Sequence, residues 1–110
     1  MTHEDFTLDT SSPERASLDG VLRLASPQAY EERFAPLRSS VERCPSAYTI
    51  DISKVRFINS SGITGLSRIV LLVRGLDRGL VLVGRRAVPW QETTLRLFQR
   101  LYPRVDVQLS

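Results

Sequence analysis

The stretch Ala47-Tyr48-Thr49-Ile50-Asp51-Ile52-Ser53-Lys54-Val55-Arg56-Phe57-Ile58-Asn59-Ser60-Ser61-Gly62-Ile63 passes from a strand into a helix start. Ala47 to Ile52 is rich in β-formers and reads as a strand. Val55 to Ile58 is a short apolar connector, and Asn59-Ser60-Ser61-Gly62 is polar and turn-prone. A long apolar segment, Ile63 to Val73, follows. Its residues Ile63, Leu66, Ile69 or Val70 and Val73 share one helical face, which Leu71 and Leu72 widen. That spacing predicts a helix buried over much of its girth.

Working outward, Gly75 or Gly79 ends this helix. Leu80 to Val83 is a fully apolar run bounded by Gly79 and Gly84, as expected of a strand covered on both faces. Val88-Pro89-Trp90 opens a last helix with Leu95, Phe98, Leu101 and Tyr102 along one side. Pro103 stops it, and Val105 to Leu109 is a closing strand. Upstream, Ser26-Pro27 reads as a helix start, with Ser as N-cap and Pro in the first turn. Tyr30, Phe34, Leu37 and Val41 form its apolar face, and Pro36 inside the pattern predicts a kink or break. Asp19-Gly20, between Arg15–Leu18 and Val21–Ala25, is a hairpin signal. Residues 1–13 read as a flexible polar tail, and residues 14–110 as one domain. The order ββαβαβαβ predicts an α/β fold: a mixed, mostly parallel sheet with an N-terminal hairpin and about three helices.

The chain has 110 residues, 42% of them hydrophobic and 25% charged, which suits one globular domain with its own core. The single cysteine, Cys44, excludes an internal disulfide and a multi-cysteine metal site. The N-terminus lacks the basic start and apolar run of a secretory signal, and no apolar stretch approaches the roughly 18 residues of a membrane span. A cytoplasmic protein is expected. The net charge of +3 hides a gradient, since residues 1–20 carry five acids against Arg15. Fourteen of the fifteen basic residues are arginine, but they are spread over several elements with no interleaved aromatics, so nucleic acid is not the expected partner.

Most catalytic templates fail. The single histidine, His3, lies in the expected tail, and no nucleophile elbow, P-loop or dinucleotide fingerprint occurs. The acids are scattered, so neither a metal site nor a carboxylate pair is indicated. What remains is Asn59-Ser60-Ser61-Gly62. Asn59 or Ser60 can cap the free amides of the first helical turn, and on one reading that is their whole role. On the other, a hydroxyl stands exposed at the positive end of a helix, where an anion or an added phosphate is welcome.

The run Ile50 to Ile63 resembles the signature of the STAS domain family, the anti-sigma factor antagonists and related domains of sulfate transporters and stress-signalling complexes. The match rests on Asp51, Ser53, Val55, Phe57, Ile58, Ser60, Ser61, Gly62 and Ile63. The resemblance implies that family's fold over about residues 15–110. It implies a non-enzymatic interaction switch without cofactor or metal. In the bacterial antagonists a serine at this place is phosphorylated by a partner kinase, a role the match carries onto Ser60, with Ser61 and Thr64 as lesser candidates. The docking surface would be Arg56, Phe57, Ile58, Asn59, Ser60, Ser61 and Gly62. Partners implied are an anti-sigma factor, a serine kinase-type regulator or a larger stress-signalling assembly, with homodimerisation a further expectation and no membrane. One departure bears on the regulation: the family's usual acidic residue before the serine is Asn59 here. A second reading is a small-ligand module, in which the helix start near Ser60-Ser61 holds a nucleotide or other anion with Arg56 or Arg85 as counter-charge.

Overall fold

A computed structural model describes residues 5–110. Five strands and four helices follow in the order β1 (Phe6–Ser12), β2 (Arg15–Leu22), α1 (Pro27–Arg33), α2 (Ala35–Arg43), β3 (Tyr48–Ile58), α3 (Ser60–Gly75), β4 (Leu80–Gly84), α4 (Pro89–Leu101) and β5 (Val105–Leu109). They form one sheet in the order β1-β2-β3-β4-β5. β1 is antiparallel to β2, and every other pairing is parallel. The expected α/β class and mixed, mostly parallel sheet are therefore present. The helix count is four because the first helical segment divides at Phe34, where Pro36 sits in the first turn of α2 and cannot continue the ladder.

Each crossover steps one strand in the same direction, and right-handed crossovers of that kind stack their helices on one side of the sheet. Burial alternates accordingly. Ala16, Leu18, Tyr48, Ile50, Ile52, Leu80, Leu82 and Val105 are buried under the helices. Arg15, Asp19, Asp106 and Gln108 are exposed on the opposite face, with Ser17, Thr49, Asp51, Val81 and Val83 half-buried among them. β4 is thus not covered on both faces: Val81 and Val83 lie on the open side, sheltered only by neighbouring strands. α3 likewise buries one stripe, formed by Leu66, Ile69, Val70 and Val73 with Gly62 and Gly65, while Leu71 is 41% exposed.

The N-terminal hairpin is where the structure departs most from expectation. Phe6–Ser12 is a strand, not part of a loose tail, and it pairs with β2 through Phe6↔Gly20, Leu8↔Leu18 and Ser12↔Arg15. Phe6 is buried against the rings of Tyr30 and Phe34. The remainder of the expected tail, residues 1–4 with His3, lies outside the described residues. The turn of the hairpin is at Pro13-Glu14. Asp19-Gly20 instead lies inside β2, whose register against β3 shifts on both sides of it. Gly20 has φ +117°, and a Cβ there would collide with the carbonyl of Asp5, the acceptor for Val21 N. The positive φ inferred from Asp-Gly is present, but it serves a bulge.

Candidate functional site

α1, α3 and α4 all start at the carboxyl ends of parallel strands, the edge where α/β domains present working residues. β3 runs unbroken to Ile58, so the expected apolar connector is the end of the strand itself. Beyond Asp51 β3 has no partner in β4, because the β3–β4 ladder ends at Asp51↔Val83. Gln91 takes the vacated place. This fully buried side chain donates through Nε2 to the carbonyls of Ile52 (3.0 Å) and Val55 (2.9 Å), and its Oε1 accepts from Arg85 N (2.7 Å). Buried backbone groups require partners, and one carboxamide supplies three. Asp51 acts at the same irregularity, accepting from Ser53 N at 2.8 Å while pairing with Arg15 at 2.6 Å on the open face.

Eight residues after Asp51 the chain enters α3 through Asn59, the N-cap. Asn59 Oδ1 accepts from Gly62 N (2.9 Å) and from the Tyr30 hydroxyl (2.9 Å). Asn59 Nδ2 donates to the carbonyl of Leu24 (2.8 Å), and Leu24 N donates back to the Tyr30 hydroxyl (3.0 Å). The main chain adds Asn59 N to Leu22 O and Ile63 N to Asn59 O. One amide therefore joins the exit of β2, α1 and the first turn of α3. It explains the residue type: the Leu24 carbonyl needs a donor opposite it, which an amide has and a carboxylate lacks. Burial of Tyr30 pushes its phenol above the ordinary value near 10.

Gly62 and Gly65 allow this closeness. A Cβ on Gly62 would stand 2.7 Å from Ile58 Cγ1 and 3.0 Å from the Tyr30 hydroxyl, and one on Gly65 would stand 2.9 Å from Tyr30 Cβ. α1 can thus lie directly on α3. Gly62, expected in the docking surface, is buried in the structure, where it permits this packing.

The remaining expected site residues divide by exposure. Arg56, Phe57, Ser60 and Thr64 are exposed, while Ile58, Asn59 and Ser61 are half-buried. Of the three hydroxyls, Ser60 occupies the first position of a 16-residue helix, beside its free amides. Arg85, the counter-charge offered for an anion, is exposed in the β4–α4 loop, where its backbone N is held by Gln91.

Beside Ser60 lies a groove between the end of β3, the start of α3 and α4. Phe57, Ile58, Ile63, Trp90 and Thr94 line a cavity of about 280 Å³. Ile63 and Thr94 continue into a second of about 460 Å³ that reaches Leu97. Phe57 and Leu97 are 45% and 42% exposed, and the Arg23 guanidinium lies 5.4 Å from the Phe57 ring centroid. The resemblance that singles out Phe57 and Ile58 points to one wall; the contribution of Trp90, Thr94 and Leu97 carries no signal in the sequence, since nothing there says which side of α4 faces β3.

Among the described residues no cluster of His, Cys, Asp or Glu could hold a metal ion, and no helix is long and apolar enough to cross a membrane. The fold and this edge define an α/β domain of one five-stranded sheet with a capped, hydroxyl-bearing helix start. No family model matches the chain, and neither a curated protein nor a solved structure matches it.

Proposed function

We propose that this chain is a STAS-type, non-enzymatic interaction switch of the cytoplasm, docking a partner regulator or serine kinase at the start of α3 and controlled by phosphorylation of Ser60. The observation that carries the reading is the contrast within one helical turn. The Asn59 side chain is fixed by three hydrogen bonds, with the Tyr30 hydroxyl, the Leu24 carbonyl and Gly62 N, while Ser60 next to it is exposed. A rigid anchor beside an accessible hydroxyl lets a modification change the surface without changing the fold. A phosphate brings about −1.5 to −2 charges, which the helix amides and dipole accommodate. A partner shaped for the neutral hydroxyl would have to desolvate a dianion, at a cost of several kcal/mol. Asn59 in the usual place of Asp is consistent with this: the cap it makes is complete, and its neutrality leaves the phosphate as the charge that changes.

The test is affinity capture from the source cells with wild type, Ser60→Ala and Ser60→Asp. Wild type and Ser60→Ala should retain the same regulator, and Ser60→Asp should lose it by roughly two orders of magnitude in affinity, since each tenfold is about 1.4 kcal/mol. Equal retention by all three would reduce Ser60 to part of a helix start. A large thermal shift with nucleotides and no protein partner would favour the ligand module instead.

A further inference from the structure

β5 is an edge strand, and the direction of its main-chain groups can be assigned residue by residue. Ser110 N donates to Gly84 O and Ser110 O accepts from Arg86 N, so Ser110 turns both groups toward β4. Such groups alternate along a parallel strand. The regular register from Leu80↔Val105 to Gly84↔Leu109 therefore turns Asp106 and Gln108 toward β4, and Val105, Val107 and Leu109 outward. Val105 is satisfied within the chain: its N donates to Tyr102 O, and its O accepts from Gln99 Nε2 (2.9 Å). Val107 and Leu109 face an edge with no strand beyond it among the described residues, which presents two donors and two acceptors to a further strand. The opposite edge is closed where it begins. Phe6 N donates to Asp5 Oδ1 (2.7 Å), Phe6 O accepts from Arg33 (3.0 Å), and the β1 register is broken between Asp9 and Ser12. β5 has neither an irregular register nor a proline or lysine to blunt it.

We propose that a second copy of this chain occupies this edge, its β5 pairing antiparallel with β5 about a two-fold axis at Gln108. In that register Val107 of each copy lies opposite Leu109 of the other, and the two pairs exchange all four outward main-chain bonds. Neighbouring two-fold registers do not fit. An axis at Val107 sets Leu109 against Val105, whose groups are already used, and an axis at Asp106 opposes two carboxylates. The side chains agree with the axis at Gln108. Val107 and Leu109, half-buried on the helix side of the sheet, cover one another across the contact. On the open face Gln108 meets Gln108, amide to amide. Asp106, which accepts from Gln108 Nε2 of its own copy (3.0 Å), meets Ser110, so no like charges are opposed. The two five-stranded sheets become one continuous sheet with the helices of both copies on the same side. The start of α3 follows β3, two strands in from this edge, so the dimer stands whether or not Ser60 is a switch.

The test uses the axis itself, because residue 108 meets its own copy there and nowhere else. Sedimentation equilibrium of the full chain should show a monomer–dimer equilibrium. Gln108→Lys and Gln108→Glu alter an exposed side chain, and circular dichroism should show the wild-type fold for both. Each should weaken the dimer roughly fivefold or more at low salt by setting like charges across the axis, and an equimolar mixture of the two should restore it. Val107→Pro removes an outward N–H and leaves the bonds to β4, so it should abolish the dimer; if that variant unfolds, the Gln108 pair carries the test. Amide exchange at Val107 and Leu109 should slow as concentration rises, while Val105, bonded within its own chain, should not change. A chain that stays monomeric at millimolar concentration would overturn the proposal. So would a dimer indifferent to both Gln108 variants, a mixture no tighter than either variant alone, or concentration-dependent protection at Phe6–Ser12 in place of Val107 and Leu109.

Discussion

The starts of α3 and α4 lie at the same edge of the sheet and are held in opposite ways. α3 is held from its cap: Asn59 turns its carboxamide back onto β2's exit and Tyr30. α4 begins at Val88 with no side-chain cap bond, and is held from inside its first turn, where Gln91 reaches down to β3. Each start is fixed by one buried or half-buried carboxamide bonded to main-chain groups. The difference lies in what is left outside. The first position of α4 is Pro89, which has no amide proton to offer, while the first position of α3 is Ser60, exposed with its amide and hydroxyl. Anchoring below the surface is common to both starts, and an exposed hydroxyl at the first helical position belongs to α3.

Removing the α4 anchor should have the largest effect. Gln91→Ala leaves the Ile52 and Val55 carbonyls and the Arg85 amide without partners in a buried site and opens a cavity. The expected cost is about 4 kcal/mol, read by chemical denaturation. A loss under about 1 kcal/mol would mean that water replaces the side chain and the two anchors are not alike.

Asn59→Ala should cost less, about 2–3 kcal/mol, since the site is only half-buried and part of the loss is the cap. Asn59→Asp keeps both bonds accepted by Oδ1 but turns an oxygen toward the Leu24 carbonyl. About 1–2 kcal/mol is expected, and equal stability of Asn59→Asp and wild type would contradict the reason given for the amide.

The phenols give a smaller, pH-dependent effect. Burial raises Tyr30 and Tyr48 above the ordinary value near 10. The unfolded chain therefore releases these protons first. The stability they contribute is whole below about pH 10 and is lost as pH rises through the folded values. Tyr30→Phe should lower stability by about 1 kcal/mol at neutral pH, through the lost bonds to Leu24 and Asn59, and flatten the alkaline decline. An unchanged alkaline slope in both Tyr30→Phe and Tyr48→Phe would remove these groups as its source.

The smallest effect is expected at Ser60 itself. Ser60→Ala and Ser60→Asp should each melt within about 2 °C of wild type, the scale of a surface substitution. A larger drop would show that the hydroxyl is part of the anchor.

The outline of this site was legible because its signals are local. Small polar residues before an apolar run mark a helix start, and Asn59 as a cap follows from chemistry two and three residues away. The partners of Asn59 were not legible, because Leu24 and Tyr30 meet it only through tertiary packing. Gln91 was invisible for the same reason: its task is set by where the β3–β4 ladder stops. The first strand was missed because Phe6–Ser12 is an edge strand whose outward residues are Thr7, Asp9 and Ser11, so it carries a loop's composition. Asp19-Gly20 reports positive φ at Gly20 without distinguishing a turn from a bulge. Val81 and Val83 made β4 look covered on both faces, though a central strand on an open sheet face gains enough shelter from its neighbours to keep valine.

The most direct measurement installs phosphoserine at position 60 in the full chain and records its melting temperature beside its affinity for the partner captured by wild type. The expected result is a melting temperature within about 2 °C of the unmodified protein, with affinity lowered by roughly a hundredfold or more. A phosphorylated chain that unfolds many degrees earlier, or that binds the partner undiminished, would contradict a switch built on a fixed cap and an exposed hydroxyl.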